Sequence, residues 1–470
     1  MSLIWLHWYQ AITPLRPAFS RHLTFLWFVV GVAGMSIRQD NLGVTSLARA
    51  LTLRTAGYES LLGNMHSQGI CLSKLTHCWV RCVFQLFGSR IERVNDRVVL
   101  IADGKKIAKQ GHKMPAVKCL HQESDNHSKP AFIMGHSTQA VSLLVNAVNS
   151  AFAVPLDIKI HEGLVFSNRS KQTLLDKLIG LIGTLDLPEH YYLVADAYYA
   201  SGRMVNSMLD SGNHLITRVR SNSVAYHPAP VKLSRNRKRG RPRKYGNKVR
   251  LVDLFRSATK IHHIPSPVYA EKSVTLKVRQ LKLYWRPSGV LVNFVLVDHP
   301  RRGRIMLMST DLDLELSEII RLYGLRFKIE FGFKQASQVI GAFDYHFWMM
   351  DMTPQRRWAG NQYLHKKSEK YRNKVREKMH AYHVHLFVGV VAQGLMQYLS
   401  VCHTELVWRT FGSWLRTIRQ GIPPSERIVA MALRNCLPYF LVDNAQTCNL
   451  AKFIIENQDP DRADNLGNAA

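Results

Sequence analysis

Val98-Val-Leu-Ile-Ala-Asp103-Gly104 and, further along, Tyr191-Tyr-Leu-Val-Ala-Asp196 carry the reading of this chain. Each is an unbroken apolar run that closes on an aspartate. A run of this length without alternation fits a strand buried on both faces, as in the middle of a parallel sheet. Around them the pattern predicts a helix over 174–182 ending near Gly183, a helix over 203–210 stopped by Gly212, and a further strand over 214–219. Strands alternating with helices argue for an α/β core with a partly parallel sheet. Ligands of such sheets gather at the carboxyl ends of the strands, so Asp103 and Asp196 are expected a few Å apart on neighbours. An aspartate at that place can also do no more than cap a turn.

Working outward, residues 1–92 read as helical, with apolar spacings of three and four over 45–51 and 72–87 and breaks at Gly57, Gly63 and Gly69. The α/β core occupies 93–220. Residues 221–312 interrupt its rhythm with Pro228, Pro230, a dense basic run and alternating β segments at 274–285, 290–297 and 305–308, which predicts an inserted β-rich element. Helical period returns over 313–350. A basic and helical region follows at 351–456, with nine Lys/Arg against two acids over 356–378 and an apolar helix over 381–401. The polar end, 457–470, is expected to be a disordered tail.

Composition restricts the function classes. The chain has 470 residues, 46% of them hydrophobic, which excludes a disordered or fibrous protein. Lys+Arg number 63 against 33 Asp+Glu, a formal charge of +30. Such a surplus calls for a polyanionic partner, nucleic acid first. Seven cysteines form no disulfide framework, and Cys71, Cys78 and Cys82, on one predicted helix face, lack a second pair at zinc spacing. They read as buried apolar groups. His262-His263 and His383-x-His385 likewise lack the companion ligands of a zinc site. The apolar stretch 23–37 is 15 residues, short of the roughly 20 a spanning helix needs. No Gly-rich phosphate loop is present, so no nucleotide cofactor is expected. The expectation is a reduced, cytoplasmic, nucleoid-associated protein without a membrane partner.

Two adjacent carboxylates repel unless a cation lies between them, and Mg²⁺ or Mn²⁺ suits oxygen ligands that must leave room for phosphate and water. A third element joins them. In Leu322-Tyr-Gly-Leu-Arg-Phe-Lys-Ile-Glu-Phe-Gly-Phe-Lys334, residues Tyr323, Arg326, Glu330 and Lys334 recur at spacings of three and four. On one continuous helix they would share a narrow polar face, presenting a carboxylate with flanking cations. A solvated face with an Arg326–Glu330 pair is the plainer alternative. Glu330 reads as mid-helix beside Phe327, Phe331 and Phe333, whereas Glu315 and Glu318 lie where acids favour a helix N-terminus.

Taken together, these motifs resemble the DDE transposases of bacterial insertion sequences, in the group marked by a Tyr-x-x-Arg-x-x-x-Glu helix. Tyr323, Arg326 and Glu330 match that signature, the segment Leu307-Met-Ser-Thr-Asp-Leu312 resembles its lead-in strand, and Asp103 and Asp196 match the first and second acids. The resemblance covers roughly 95–350. It implies an α/β, RNase H-like core, catalytic and metal-binding roles for Asp103, Asp196 and Glu330, two divalent ions, and a homodimeric active complex that cleaves transposon ends and joins them to target DNA. The group's signature also has a Lys seven residues after the Glu. Ser337 stands there in this chain, and Lys334, one turn earlier, is the expected substitute.

DNA binding is suggested independently of the resemblance. Residues 232–250 hold ten Lys/Arg and no acid, including Arg239, Arg241, Arg243 and Lys244. Gly-Arg-Pro-Arg within this run resembles an AT-hook, in which Arg side chains enter a narrow minor groove. The simpler reading is a basic hairpin tip touching phosphates without base preference. Tyr323, Arg326 and Lys334 are expected to contact DNA beside the acids. A catalytically degenerate copy acting as a DNA-binding repressor of its own element is the alternative function, and a structure-selective nuclease on the same fold is a third.

Overall fold

The computed structural model describes residues 2–40, 42–122, 130–230, 243–256, 261–271, 273–412 and 418–461. The chain forms two compact units, one of Arg93–Asp103 and Pro188–Ile329, the other of Met1–Glu92, Gly104–Leu187 and Glu330–Ala470. Their boundaries therefore cut across the linear segments of the sequence. The α/β class expected for an RNase H-like core is observed, with the β-rich stretch and helical ends in their expected places.

In the first unit, Val98, Val99, Leu100, Ile101 and Ala102 are wholly buried and pair in parallel with strand Tyr191–Ala195, from Val98↔Tyr191 to Ala102↔Ala195. That strand pairs in parallel with His214–Arg218, ending at Ala195↔Thr217. Helix Gly202–Asp210 makes the crossover between them, its N-terminus capped by Ser201, whose hydroxyl accepts from the Met204 N–H. The β-rich stretch extends this sheet by antiparallel pairing. Strand Gly303–Ser309 joins His214–Arg218, and Val290–His299, Thr275–Trp285, Val224–Pro228 and Tyr245–Arg250 follow outward.

The other unit is built around strands Phe132–Ala147 and Ser150–Ile160, a long hairpin turning at Asn149 with φ +55°. No strand is read in this stretch from the sequence. Ser137, Thr138, Gln139 and Ser142 are polar yet buried here, so the apolar period of a strand is hidden. Helix Glu369–Cys402 has an apolar window long enough to cross a membrane, 94% of it buried inside the protein, and it serves as a core helix. Its Gly394 lies under the Trp79 ring, where a Cβ would come within 2.2 Å of Cζ2. Trp79 Nε1 donates to the Pro155 carbonyl at 2.9 Å and Trp5 Nε1 to that of Leu433 at 2.8 Å, tying N-terminal helices into this core.

Cys71 precedes helix Leu72–Phe87 and is exposed, contrary to the expectation of a buried apolar group, while Cys82 is buried as expected. Of the tail expected over 457–470, the first residues are held: Asp459 N–H donates to the Thr52 carbonyl and the Gln458 side chain to that of Leu51. Residues 462–470 lie outside the described residues.

Three histidines of this unit are kept neutral. Burial pushes the pKa of His136 down to about 3, burial with Lys177 and Lys159 nearby pushes His161 down to about 4, and burial beside His7 pushes His403 down to about 4. Their unfolded value is about 6.5, so below it the unfolded chain binds more protons than the folded one. Stability is thus fully present above about pH 7 and should fall from about pH 6.5 toward 4, with a slope of up to ~1.4 kcal/mol per pH unit for each of His136 and His161 and less for the half-buried, solvent-screened His403. Urea midpoints at pH 7.5, 6.5 and 5.5 measure this. A midpoint unchanged between pH 7.5 and 5.5 would contradict the buried neutral histidines.

Candidate active site

The parallel register places the acids. Ala102↔Ala195 and Ala195↔Thr217 are partners, so the residues one step on, Asp103, Asp196 and Arg218, follow in a row across three neighbouring strands. Adjacent strands lie about 4.8 Å apart, which brings the first two carboxylates side by side. Strand Arg97–Ala108 runs on past Asp103, a correction to the expected stop at Asp103-Gly104, because burial alternates from there and the strand becomes one-sided. Asp196 does follow its strand. Its Oδ1 accepts from the Tyr198 N–H at 2.9 Å, so it also caps the short turn Ala197–Tyr199, and its carbonyl accepts from Thr217 Oγ1 at 2.7 Å.

The Asp103 carboxylate is not left uncompensated. Arg326 Nη1 donates to its Oδ2 at 2.9 Å, with side chains only 18% and 17% exposed. Tyr323 stands beside this pair, within the electrostatic reach of Arg326, Arg218 and Asp196, and burial raises its hydroxyl pKa. The structure thus gathers Asp103, Asp196, Tyr323 and Arg326 from the sequence-predicted set. Arg218, near the end of the strand expected over 214–219 and the last residue of the strand observed, is a site residue that sequence reasoning misses.

The continuous helix expected through Tyr323 and Lys334 is broken. Helix Leu316–Leu325 ends before Arg326, and a second helix, Phe327–Gln335, begins after it. Tight bonds mark the junction, Arg326 N–H to the Tyr323 carbonyl and Ile329 N–H to that of Arg326. Gly324 allows close approach there, since a Cβ would come within 2.3 Å of Val268 Cγ1. Glu330 consequently lies in the first turn of the second helix and is exposed, as are Phe327, Phe331 and Lys334. This corrects the mid-helix reading of Glu330: the helix N-terminus favours an acid at that place, and no aromatic burial penalises it. Glu315 accepts from the Ser317 hydroxyl, and Glu318 is paired with Arg321 at 2.7 Å, so both have local structural roles.

Past Gln335 the chain forms a π-helical turn, Ala336–Ile340, that contains Ser337. A cation reaches that position from an unexpected element. Lys105 Nζ donates to Ser337 Oγ at 2.8 Å and to the Phe333 carbonyl at 3.2 Å, over the Phe333 and Phe343 rings. Its signal in the sequence is its place two residues beyond Asp103. Of the basic run, Arg239 and Arg241 lie outside the described residues, whereas Arg243 and Lys244 are exposed and lead into the edge strand Tyr245–Arg250.

The sequence pattern of the DDE superfamily endonucleases matches residues 14–284, more than half of the chain. The chain belongs to this family. The matched span contains Asp103 and Asp196 and stops before Glu330. None of the curated proteins matches. Among solved structures, the chain is similar to a piggyBac transposase in a synaptic complex with hairpin DNA, at 10% identity and a TM-score of 0.38, over 92% of this chain and 76% of that one.

For a DDE endonuclease the donor set is informative. The hard carboxylate oxygens of Asp103 and Asp196, level in register on neighbouring strands, fit a divalent cation. Among the described residues no three His, Cys, Asp or Glu side chains are grouped closely enough to hold one. Arg326 meanwhile occupies an oxygen of Asp103. Arg326 and a metal ion therefore compete for the same carboxylate. Replacing Arg326 with Gln should let Mn²⁺ raise the melting temperature at a roughly three- to tenfold lower metal concentration, the worth of one partly exposed ion pair. An unchanged metal midpoint would show that Arg326 does not oppose metal at Asp103.

Proposed function

We propose that this DDE endonuclease is the DNA transposase of an insertion sequence. In this reading it binds the inverted-repeat ends of its element, cuts there and joins the ends to target DNA, as a homodimer in the bacterial cytoplasm. The observation that carries the reading is the in-register pair Asp103 and Asp196 in a chain of the DDE family. A charge of +30 supports a polyanionic substrate.

Asp103 and Asp196, with Glu330 brought from the helix start, would hold two Mg²⁺ or Mn²⁺ ions. When bound, the ions would stabilise charge on the scissile phosphate. Arg326 would leave Asp103 for a DNA phosphate, with Tyr323 and Arg218 beside it, and Lys334 would contact DNA as well. The P–O bond to the 3′ oxygen breaks as water, or later a DNA 3′-hydroxyl, attacks phosphorus. Arg243 and Lys244, with Arg239 and Arg241, would track phosphates on the flanking duplex.

A specific observation keeps the repressor reading in view. Ser337 stands where the signature has a Lys. Incubating the protein with its element's ends and Mg²⁺ and mapping the cut strands separates the two. Asp103→Ala, Asp196→Ala and Glu330→Gln should each lower cleavage by at least about a hundredfold and leave affinity for the ends within about twofold, because affinity comes mainly from phosphate contacts. Glu315→Gln and Glu318→Gln should cleave normally. Cleavage that survives Glu330→Gln but fails in Glu318→Gln would put the active face on the wrong side of the helix, and wild-type protein that binds the ends without cutting would favour the repressor.

The basic run is separable from the chemistry. Neutralising Arg243 and Lys244 together should flatten the plot of log affinity against log salt by up to about 0.9 per lost phosphate contact. An unchanged slope would mean that these residues do not face DNA.

A further inference from the structure

A pocket of about 390 Å³ lies wholly within the unit that contains the C-terminal helices, lined by residues 108–112, the start of strand Phe132–Ala147 and residues 355–358. Val117, Phe132 and Met134 give it apolar walls, and Arg356, Arg357 and Trp358 stand exposed beside them. Phe132 is 49% and Trp358 51% exposed, and leaving two large rings in water is costly unless something covers them. Both are held in place. Trp358 adopts φ +68°, a left-handed backbone that a bulky residue keeps only when its surroundings impose it, and the Arg357 guanidinium sits 4.8 Å from its ring centroid. The His121 ring packs edge-on against Phe132 at 5.0 Å. Gln355 also lines the pocket, and its buried side-chain oxygen has no hydrogen-bond partner.

Aromatic faces beside cations, with no acid anywhere in residues 352–368, match a strand of unpaired nucleotides. Each base has a π-face to stack, each phosphate a charge to neutralise, and a base N–H, which thymine also carries at N3, is the kind of donor the Gln355 oxygen lacks. Bases in a duplex have their faces covered by stacking and offer only their edges. We propose that this pocket takes an unstacked base of single-stranded DNA, with its ring on Trp358 or Phe132 and the adjoining phosphate on Arg356 and Arg357. The choice of DNA rests on the transposase reading above.

The test uses the full-length protein without divalent metal, a fluorescently labelled single-stranded oligonucleotide of about twelve thymidines, a labelled duplex of similar length, and anisotropy at one fixed salt concentration. Trp358→Ala and Phe132→Ala should each weaken single-strand binding roughly fivefold or more and leave duplex binding within about twofold. Trp358→Phe, which keeps a ring, should retain most of the single-strand affinity, and circular dichroism with melting temperature establishes that the variants are folded. An oligonucleotide with abasic sites should bind the wild type as weakly as the intact one binds Trp358→Ala. Variants that bind single strands normally, variants that lose duplex and single strand alike, or indifference to abasic sites would each overturn the stacking site. Wild-type protein that binds duplex but no single strand would overturn this inference alone. Protein that binds neither would overturn the DNA reading as well.

Discussion

Two carboxylates one register step beyond a dry parallel strand pair are the constraint on which the site depends. Val98 to Ala102 and Tyr191 to Ala195 are buried, so their register cannot slip without exposing apolar side chains or burying polar ones. Asp103 and Asp196 are thereby fixed beside each other, and their repulsion must be answered by something positive. In this structure the answer is protein: the Arg326 guanidinium on Asp103, a backbone N–H on Asp196, and Arg218 next in the row. Those are the charges a metal ion or a phosphate would have to displace or use. The helix break at Arg326 belongs to the same arrangement, because a turn rather than a helix carries the residue that reaches the first acid.

The fold was legible where burial and sequence period coincide. Two wholly apolar runs followed by aspartates announced the parallel strands, and alternating segments announced Thr275–Trp285 and Val290–His299. The hairpin Phe132–Ala147 and Ser150–Ile160 was not legible. Its buried positions include Ser137, Thr138, Gln139 and Ser142, and their polar groups find protein partners only in the folded state, as where Thr138 Oγ1 donates to the Lys105 carbonyl. Binary pattern reads side-chain chemistry alone and cannot register a polar group that is buried because it is bonded.

The site divides in the same way. Asp103 and Asp196 were legible because each closes an unbroken apolar run, which is a local property of sequence. The polar face through Tyr323, Arg326, Glu330 and Lys334 rests on a constant rotation per residue, and the turn at Arg326 removes that constancy. Lys105 was missed for a different reason. Its partners, Ser337 and the Phe333 carbonyl, lie more than two hundred residues away, and nothing near Lys105 in sequence reports them. A signature residue looked for at position 337 is thus met by a cation from the strand that bears the first acid.

Lys105 is a different kind of cation from a lysine rooted at 337. A lysine rooted at 337 would have a free ammonium on a flexible stem. Lys105 has its ammonium committed to a hydroxyl and a carbonyl and lying over two aromatic rings, so it is partly desolvated and held in one place. Those contacts anchor the π-helical turn, where a widened helix leaves carbonyls in need of donors. The charge is restored near position 337, but as a fixed structural cation rather than a mobile one. Lys334, one turn before Ser337, is by contrast exposed to solvent.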